Sequence, residues 1–175
     1  MFTAFDALHD NNPKTLILGT FPSIISRANR GYYANPQNQF WRIIANAFNE
    51  NIDFNDYGQK KAMIFRHGIA LWDTLKSCNV QGSLDSNIKN EVANLEIPDF
   101  VKQFNISKIL FNGNKAYEFY RRYIGVEHLS ETEYHIMPST SPANAKMNFA
   151  QKTLIWKERL LSNEYELTET AGKNI

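Results

Sequence analysis

The sequence predicts an α/β protein: a three-layer α/β/α sandwich on a four-stranded parallel sheet. Three observations predict it. Short apolar runs alternate with amphipathic stretches along the chain, the order that parallel strands with helical crossovers impose. The chain has 175 residues, which suits one domain of four strands and their helices. Hydrophobic residues make up 43% and charged residues 21%, a balance that can fill a core and that argues against disorder.

The elements follow in order. Lys14 to Thr20 is a short apolar run that reads as a buried strand. Phe21 to Pro36 is rich in Ser, Gly, Asn and Pro and reads as a loop. From Asn38 to Asn49, Trp41, Ile44, Ala45 and Phe48 recur at helical spacing and predict a helix with one buried face. Asp56 to Arg66 is a second helix, stopped at His67-Gly68. Gly68 to Asp73 is the second strand, followed by a polar connection from Thr74 to Asn94. Pro98 suits the first turn of a short helix to Phe104. Ser107 to Asn112 is the third strand, Gly113 to Tyr123 a helix, and Tyr134 to Met137 the fourth strand. Ser139 to Lys146 is a loop and Met147 to Leu161 the last helix. One domain is thus expected over residues 1–162, with a polar, fraying tail over 163–175.

Composition narrows the function. Lys+Arg number 19 against 18 Asp+Glu, for a formal charge of +1, which excludes an all-over basic coat but not a local basic patch. Cys78 is the single cysteine, so neither an intrachain disulfide nor a Cys-rich zinc site can form, and the four histidines show no ligand spacing. Apolar runs are far shorter than a membrane span, and Met1 to Asp6 carries no signal-peptide pattern. The expectation is a soluble, cytoplasmic protein that needs no membrane.

In parallel sheets, ligands sit beyond the carboxyl ends of the strands. Gly19 to Asn38, Asp73 to Asn94 and Ser139 to Lys146 therefore converge on one rim. That rim has no Gly-x-Gly-x-x-Gly, no Walker loop and no Gly-x-Ser-x-Gly elbow. Cys78 has no His nearby and reads as a solvent-facing free thiol rather than a nucleophile. Ser139, Thr140 and Ser141 offer hydroxyls and N–H groups that suit a phosphate, or equally cap the following helix. Tyr32 and Tyr33 lie beside Phe40 and Trp41; the latter pair belongs in the core, and Tyr33 is the better candidate to stack on a planar base. Asn38 stands at a helix start, where it caps, orients a water or reads a base edge. With twenty asparagines in the chain, only its neighbours make it informative. Asp73 and Asp85 are the plausible carboxylates, and turn formation explains them as well.

Four pieces, taken together, carry a resemblance. They are Leu18-Gly19-Thr20-Phe21-Pro22-Ser23 with Tyr32-Tyr33-Ala34-Asn35-Pro36-Gln37-Asn38-Gln39-Phe40-Trp41; Leu71-Trp72-Asp73-Thr74-Leu75; Gly82-Ser83-Leu84-Asp85-Ser86-Asn87-Ile88; and Pro138-Ser139-Thr140-Ser141-Pro142-Ala143-Asn144. Ile109 to Gly113, with Lys115-Ala116, fits as well. In this order they resemble the uracil-DNA glycosylase superfamily, and within it the hypoxanthine-DNA (deoxyinosine) glycosylase family, from Thr15 to about Arg159. The resemblance implies the same sandwich fold. It also implies a monofunctional enzyme, without metal or cofactor, that acts on double-stranded DNA containing a damaged base as a monomer. The base would be flipped out and its N-glycosidic bond hydrolysed, which initiates base excision repair.

Carried over by position, the resemblance makes Asn38 the catalytic residue, because Phe21 occupies the place where many members carry Asp or Asn. Phe21, Tyr33 and Ser139 would contact the base. Ser23, Thr140, Ser141, Pro142, Ala143 and Asn144 would contact DNA, with Pro142 to Asn144 as the wedge. Arg27, Arg30, Lys115, Lys146 and Lys152 are the candidate phosphate contacts. Hypoxanthine is the first-choice substrate, with uracil or xanthine next. Two other readings stand beside this one: a lesion-binding module of the same fold without turnover, motivated by Phe21 and Ser139, and a hydrolase of free nucleosides, disfavoured by the lack of a carboxylate cluster.

Overall fold

The computed structural model describes residues 1–80 and 88–162. Asp85 and its neighbours from Gly82 to Asn87, and the tail over 163–175, lie outside the described residues. The expected parallel sheet is present. Its strands β2 (Thr15–Gly19), β3 (Ile69–Asp73), β6 (Lys108–Asn112) and β7 (Glu133–Met137) stand in the order β3-β2-β6-β7, all parallel. β2, β3 and most of β6 are buried along their length, as strands covered on both faces must be. β7 is an edge strand and leaves Tyr134 and Ile136 exposed. On the other edge, Leu8 exchanges two 2.9 Å backbone hydrogen bonds with Leu71 and closes off β3.

Helices cover both faces. On one side, α2 (Phe40–Ala47), α3 (Tyr57–Arg66) and α6 (Phe149–Leu161) share a core with Ile17, Leu71 and Leu110. On the other, α4 (Ile97–Phe104) and α5 (Asn114–Tyr123) pack on Leu16, Leu18, Ile109 and Phe111. Local chemistry sets the helix ends. Asp56 accepts from the N–H groups of Gly58 and Gln59, and Asn148 and Gln151 form a reciprocal capping box. Pro98 sits in the first turn of α4, as expected.

Two expectations need correction. The segment read as a loop after β2 contains a short helix, α1 (Ile24–Asn29). The polar connection after β3 contains strands β4 (Leu75–Val80) and β5 (Ile88–Ala93), which pair antiparallel and join β1 (Phe2–Thr3) in a second, three-stranded sheet. This small sheet encloses Cys78, which is fully buried among Leu75 and Phe119 rather than facing solvent. Both features escape periodicity, because few of their side chains are buried.

Candidate active site

All four strands of the main sheet deliver a residue to one cavity of about 390 Å³ at their carboxyl ends. β2 ends on Gly19, β3 on Asp73 and β6 on Asn112, while Ser139 lies just beyond β7. The volume suits a small-molecule or base pocket, which run from roughly 300 to 1,000 Å³. Of the three segments expected to converge, Gly19–Asn38 and Ser139–Lys146 do so, the latter through residues 139–144, while Asp73–Asn94 contributes Asp73 alone among the described residues.

Gly19 forms the floor. A Cβ there would lie 2.6 Å from Asp73 Oδ1 and 3.3 Å from the Tyr33 hydroxyl oxygen. Only glycine lets the carboxyl and the phenol approach the strand end this closely. Asp73 is 4% exposed yet lines the cavity, and its backbone carbonyl accepts from Asn94 Nδ2 at 3.2 Å.

The first wall is the segment from Thr20 to Asn38. Phe21 lines the cavity and packs against the small core of Leu75, Cys78 and Phe119. Ser23 caps α1: its Oγ accepts from the Ser26 N–H at 3.1 Å and donates to Ser26 Oγ. Ser26 Oγ in turn accepts from the Ala34 N–H at 3.2 Å, tying α1 to the tyrosine loop. Tyr32 goes into the core, where its hydroxyl donates to the Asp6 carbonyl and its carbonyl accepts from Trp41 Nε1. Burial, reinforced by the nearby charge of Asp73, holds its phenol far above the ordinary tyrosine range. Tyr33 takes a left-handed φ of 52° and lays its ring on Phe40, with centroids 3.9 Å apart at 20°. Both tyrosines line the cavity, Tyr32 buried in the core and Tyr33 only partly buried against it.

Asn38 lies in the same cavity as Tyr33. Its Oδ1 accepts from the Phe40 N–H at 3.0 Å, an Asx turn one residue ahead of the α2 N-cap, Gln39, and it lines the cavity at once. That bond fixes the rotamer. Oδ1 keeps a second lone pair and Nδ2 keeps its two hydrogens.

The second wall is Ser139 to Asn144. Ser139 Oγ accepts from the Ser141 N–H at 3.3 Å, and its carbonyl accepts from Asn144 Nδ2 at 3.1 Å. Ser141 Oγ accepts from the Ala143 N–H. Pro142 and Ala143 are exposed at the tip. Thr140 corrects an expectation: it is fully buried, its hydroxyl accepts from Asn112 Nδ2 and its N–H donates to Asn112 Oδ1, each at 3.0 Å. Its side chain holds the loop and is not presented to a phosphate.

The cationic candidates divide. Arg30 and Lys146 are exposed. Lys115 pairs with Glu118 at 2.9 Å. Arg27 donates to the Pro22 carbonyl at 2.7 Å and lies over the rings of Phe2 and Phe21, so it braces the first wall. Lys152 is 1% exposed and donates to the Asn144 carbonyl at 2.8 Å; it anchors the second wall from below and is not a surface phosphate contact. Burial lowers its pKa from the ordinary lysine value. Among the described residues, no group of three or more His, Cys, Asp or Glu side chains is placed to hold a metal ion. Sequence reasoning assigned no role to Asn112 or Ser26; the signals for Asn112 were its position before Gly113 at a strand's carboxyl end and its place in the Ile109–Gly113 piece of the resemblance.

The family model of the Uracil DNA glycosylase superfamily matches residues 5–161. A protein of Methanosarcina acetivorans named hypoxanthine DNA glycosylase is 36% identical over 148 residues, covering 82% of this chain and 89% of that protein. One of Methanosarcina barkeri with the same name is 32% identical over 155 residues, covering 85% and 92%. The solution NMR structure of a candidate uracil DNA glycosylase from Methanosarcina acetivorans superposes with a TM-score of 0.71 at 32% identity, covering 89% of this chain and 96% of that one.

Proposed function

The chain belongs to the uracil DNA glycosylase superfamily, and from that premise we propose that it removes a deaminated base, hypoxanthine foremost, from duplex DNA. It is a DNA glycosylase. The observation that carries the substrate reading is the cavity that Tyr33 and Asn38 both line, in a chain whose relatives named hypoxanthine DNA glycosylase cover most of its length.

A base inside a duplex is out of reach of such a cavity, so it must first leave the stack, at a cost of a few kcal/mol. A mispaired hypoxanthine costs less to extrude than a paired normal base, which supplies part of the selectivity. The extruded ring lies against Tyr33, whose other support is Phe40. Base–aromatic stacking of this kind contributes roughly 1–3 kcal/mol. The exposed tip at Pro142 and Ala143 is the part of the second wall able to press into the duplex.

Hydrolysis passes through an oxocarbenium-like sugar while negative charge builds on the departing base. Asn38 Oδ1, already bonded to the Phe40 N–H, accepts from the attacking water with its second lone pair. As the water oxygen bonds C1′ the C1′–N9 bond breaks, the base leaves with the electron pair, and the proton shed by the water ends on the base. Backbone N–H groups over residues 20–23 add stabilisation as charge develops. The 6-oxo ring of hypoxanthine delocalises that charge better than adenine does. Removing the base in this way opens base excision repair.

The test is a set of duplexes carrying hypoxanthine, uracil or xanthine, with alkali after incubation to break the strand at abasic sites. Cleavage at hypoxanthine is expected, and Asn38→Ala should lower the single-turnover rate by roughly 100-fold or more. Salt-dependent binding of the lesion duplex without product, or faster turnover of free inosine than of duplex, would overturn the reading.

A further inference from the structure

We infer that Asn112 is a positioning residue for the reaction, acting on Asn38 through Thr140. The inference rests on the function proposed above and deepens it. Asn112 ends β6 and lines the cavity. Both ends of its amide bind one residue: Oδ1 accepts the Thr140 N–H and Nδ2 donates to Thr140 Oγ1, each at 3.0 Å. Thr140 then passes the constraint on. Its carbonyl accepts the Gln39 N–H at 3.0 Å, and Gln39 is the residue between Asn38 and the N–H of Phe40 that holds Asn38 Oδ1. A strand of the central sheet, the second wall and the start of α2 are thereby joined by one buried threonine.

The chemistry demands these residue types. An amide donates and accepts from two separate atoms, which lets Asn112 engage the Thr140 hydroxyl and N–H together. Thr140 is fully buried, so losing its partners would strand polar groups away from water. Packing reinforces the clamp: a Cβ on Gly113, the next residue, would meet Ser139 Cβ at 3.0 Å. Gly113 also has a φ of 98°, a region open to glycine. The Asn112-Gly113 pair is thus moulded to Ser139-Thr140 by hydrogen bonds on one side and by bare backbone on the other. None of these contacts needs to touch the substrate for the clamp to matter, since a displacement of about 1 Å at a reacting group can cost roughly 100-fold in rate.

Three variants test this. Asn112→Leu removes both contacts, Thr140→Val removes only the hydroxyl, and Thr140→Ser keeps both. Single-turnover rates on the hypoxanthine duplex should fall by roughly 100-fold in N112L, fall less in T140V, and stay near wild type in T140S. The affinity for lesion duplex should change far less than the rate. Because N112L and T140V break one chain, the double variant should be no slower than N112L alone. The side-chain amide NMR signal of Asn38, assigned by its loss in N38A, should shift in N112L and hold in T140S. A wild-type rate in N112L, additive losses, or a T140S variant as slow as T140V would overturn the inference. If the wild-type enzyme cleaves none of the lesions, the substrate reading fails, and the Asn38 amide signal still decides the coupling: unmoved in N112L, it ends this inference too.

Discussion

The two walls of the cavity are held in opposite ways. The first is braced from inside the core: Tyr32 is buried with its hydroxyl, carbonyl and N–H all bonded, Tyr33 rests on Phe40, and Ser26 binds the loop at Ala34. The second is tethered from beneath. Trp156 Nε1 donates to the Pro138 carbonyl, Asn112 clamps Thr140, and Lys152 Nζ reaches the Asn144 carbonyl. Between those tethers the tip at Pro142 and Ala143 stays exposed. The contrast separates two tasks. Groups that face a base inside the cavity gain from a rigid shell set by packing. A tip that meets DNA has to remain outside the core.

The comparison breaks most sharply at Gly19. Gly19→Ala places a Cβ 2.6 Å from Asp73 Oδ1 and 3.3 Å from the Tyr33 hydroxyl. Overpacking of this sort destabilises by about 1–3 kcal/mol and pushes the floor into the first wall. The single-turnover rate should drop by roughly 100-fold. A Gly19→Ala enzyme with normal rate and melting temperature would show that the floor is not tight. Next comes Tyr33→Leu, which keeps bulk over Phe40 but loses the aromatic face. In an Asn38→Ala background, where binding is read without turnover, lesion-duplex affinity should weaken by roughly 5- to 150-fold, the worth of about 1–3 kcal/mol of base stacking. Tyr33→Phe should keep most of it. Equal loss in both variants would transfer the role from the ring to the hydroxyl.

The same contrast explains what the sequence made legible. β2, β3 and β6 stood out as apolar runs because the sheet buries them on both faces. The meeting of Tyr33 and Asn38 followed from their loop and from the rule that sites gather at strand carboxyl ends. The small sheet did not stand out. Of its β4 strand only Leu75 and Cys78 are fully buried, and its partner β1 lies at the other end of the chain's first half. α1 has six residues and exposes Ile24 and Ile25, so it has no stripe to read. In the second wall, Thr140 turns inward because a different strand supplies Asn112. Lys152 is buried although lysine ordinarily marks a surface. Tethers made by distant residues leave no local pattern.

A smaller effect sharpens the contrast at Lys152. Lys152→Met should slacken the second wall while sparing the first. Lesion-duplex KM should rise by roughly 10- to 150-fold, the span of one charge-assisted hydrogen bond, with the rate at saturation nearly unchanged. A fall in that rate with KM constant would place Lys152 in the service of the first wall instead.

The least effect, and the one that sets the walls against each other, is the response to alkaline pH. Burial raises the Tyr32 phenol above its ordinary value near 10.0, with Asp73 adding to the rise. The folded protein therefore keeps a proton that the unfolded chain gives up, so this contribution to stability is complete below pH 10 and declines above it. Burial lowers Lys152 from its ordinary 10.5. Here the unfolded chain holds the proton longer, so stability rises as pH climbs from the folded value toward 10.5. The first wall should weaken in alkali while the second gains. Melting temperatures followed upward from about pH 9 test the signs: Tyr32→Phe should flatten the alkaline decline, and Lys152→Met should steepen it. Tyr57 and Tyr120, whose phenols burial also raises, keep part of the decline in Tyr32→Phe. If both variants moved the slope the same way, the two walls would not be supported by oppositely titrating groups.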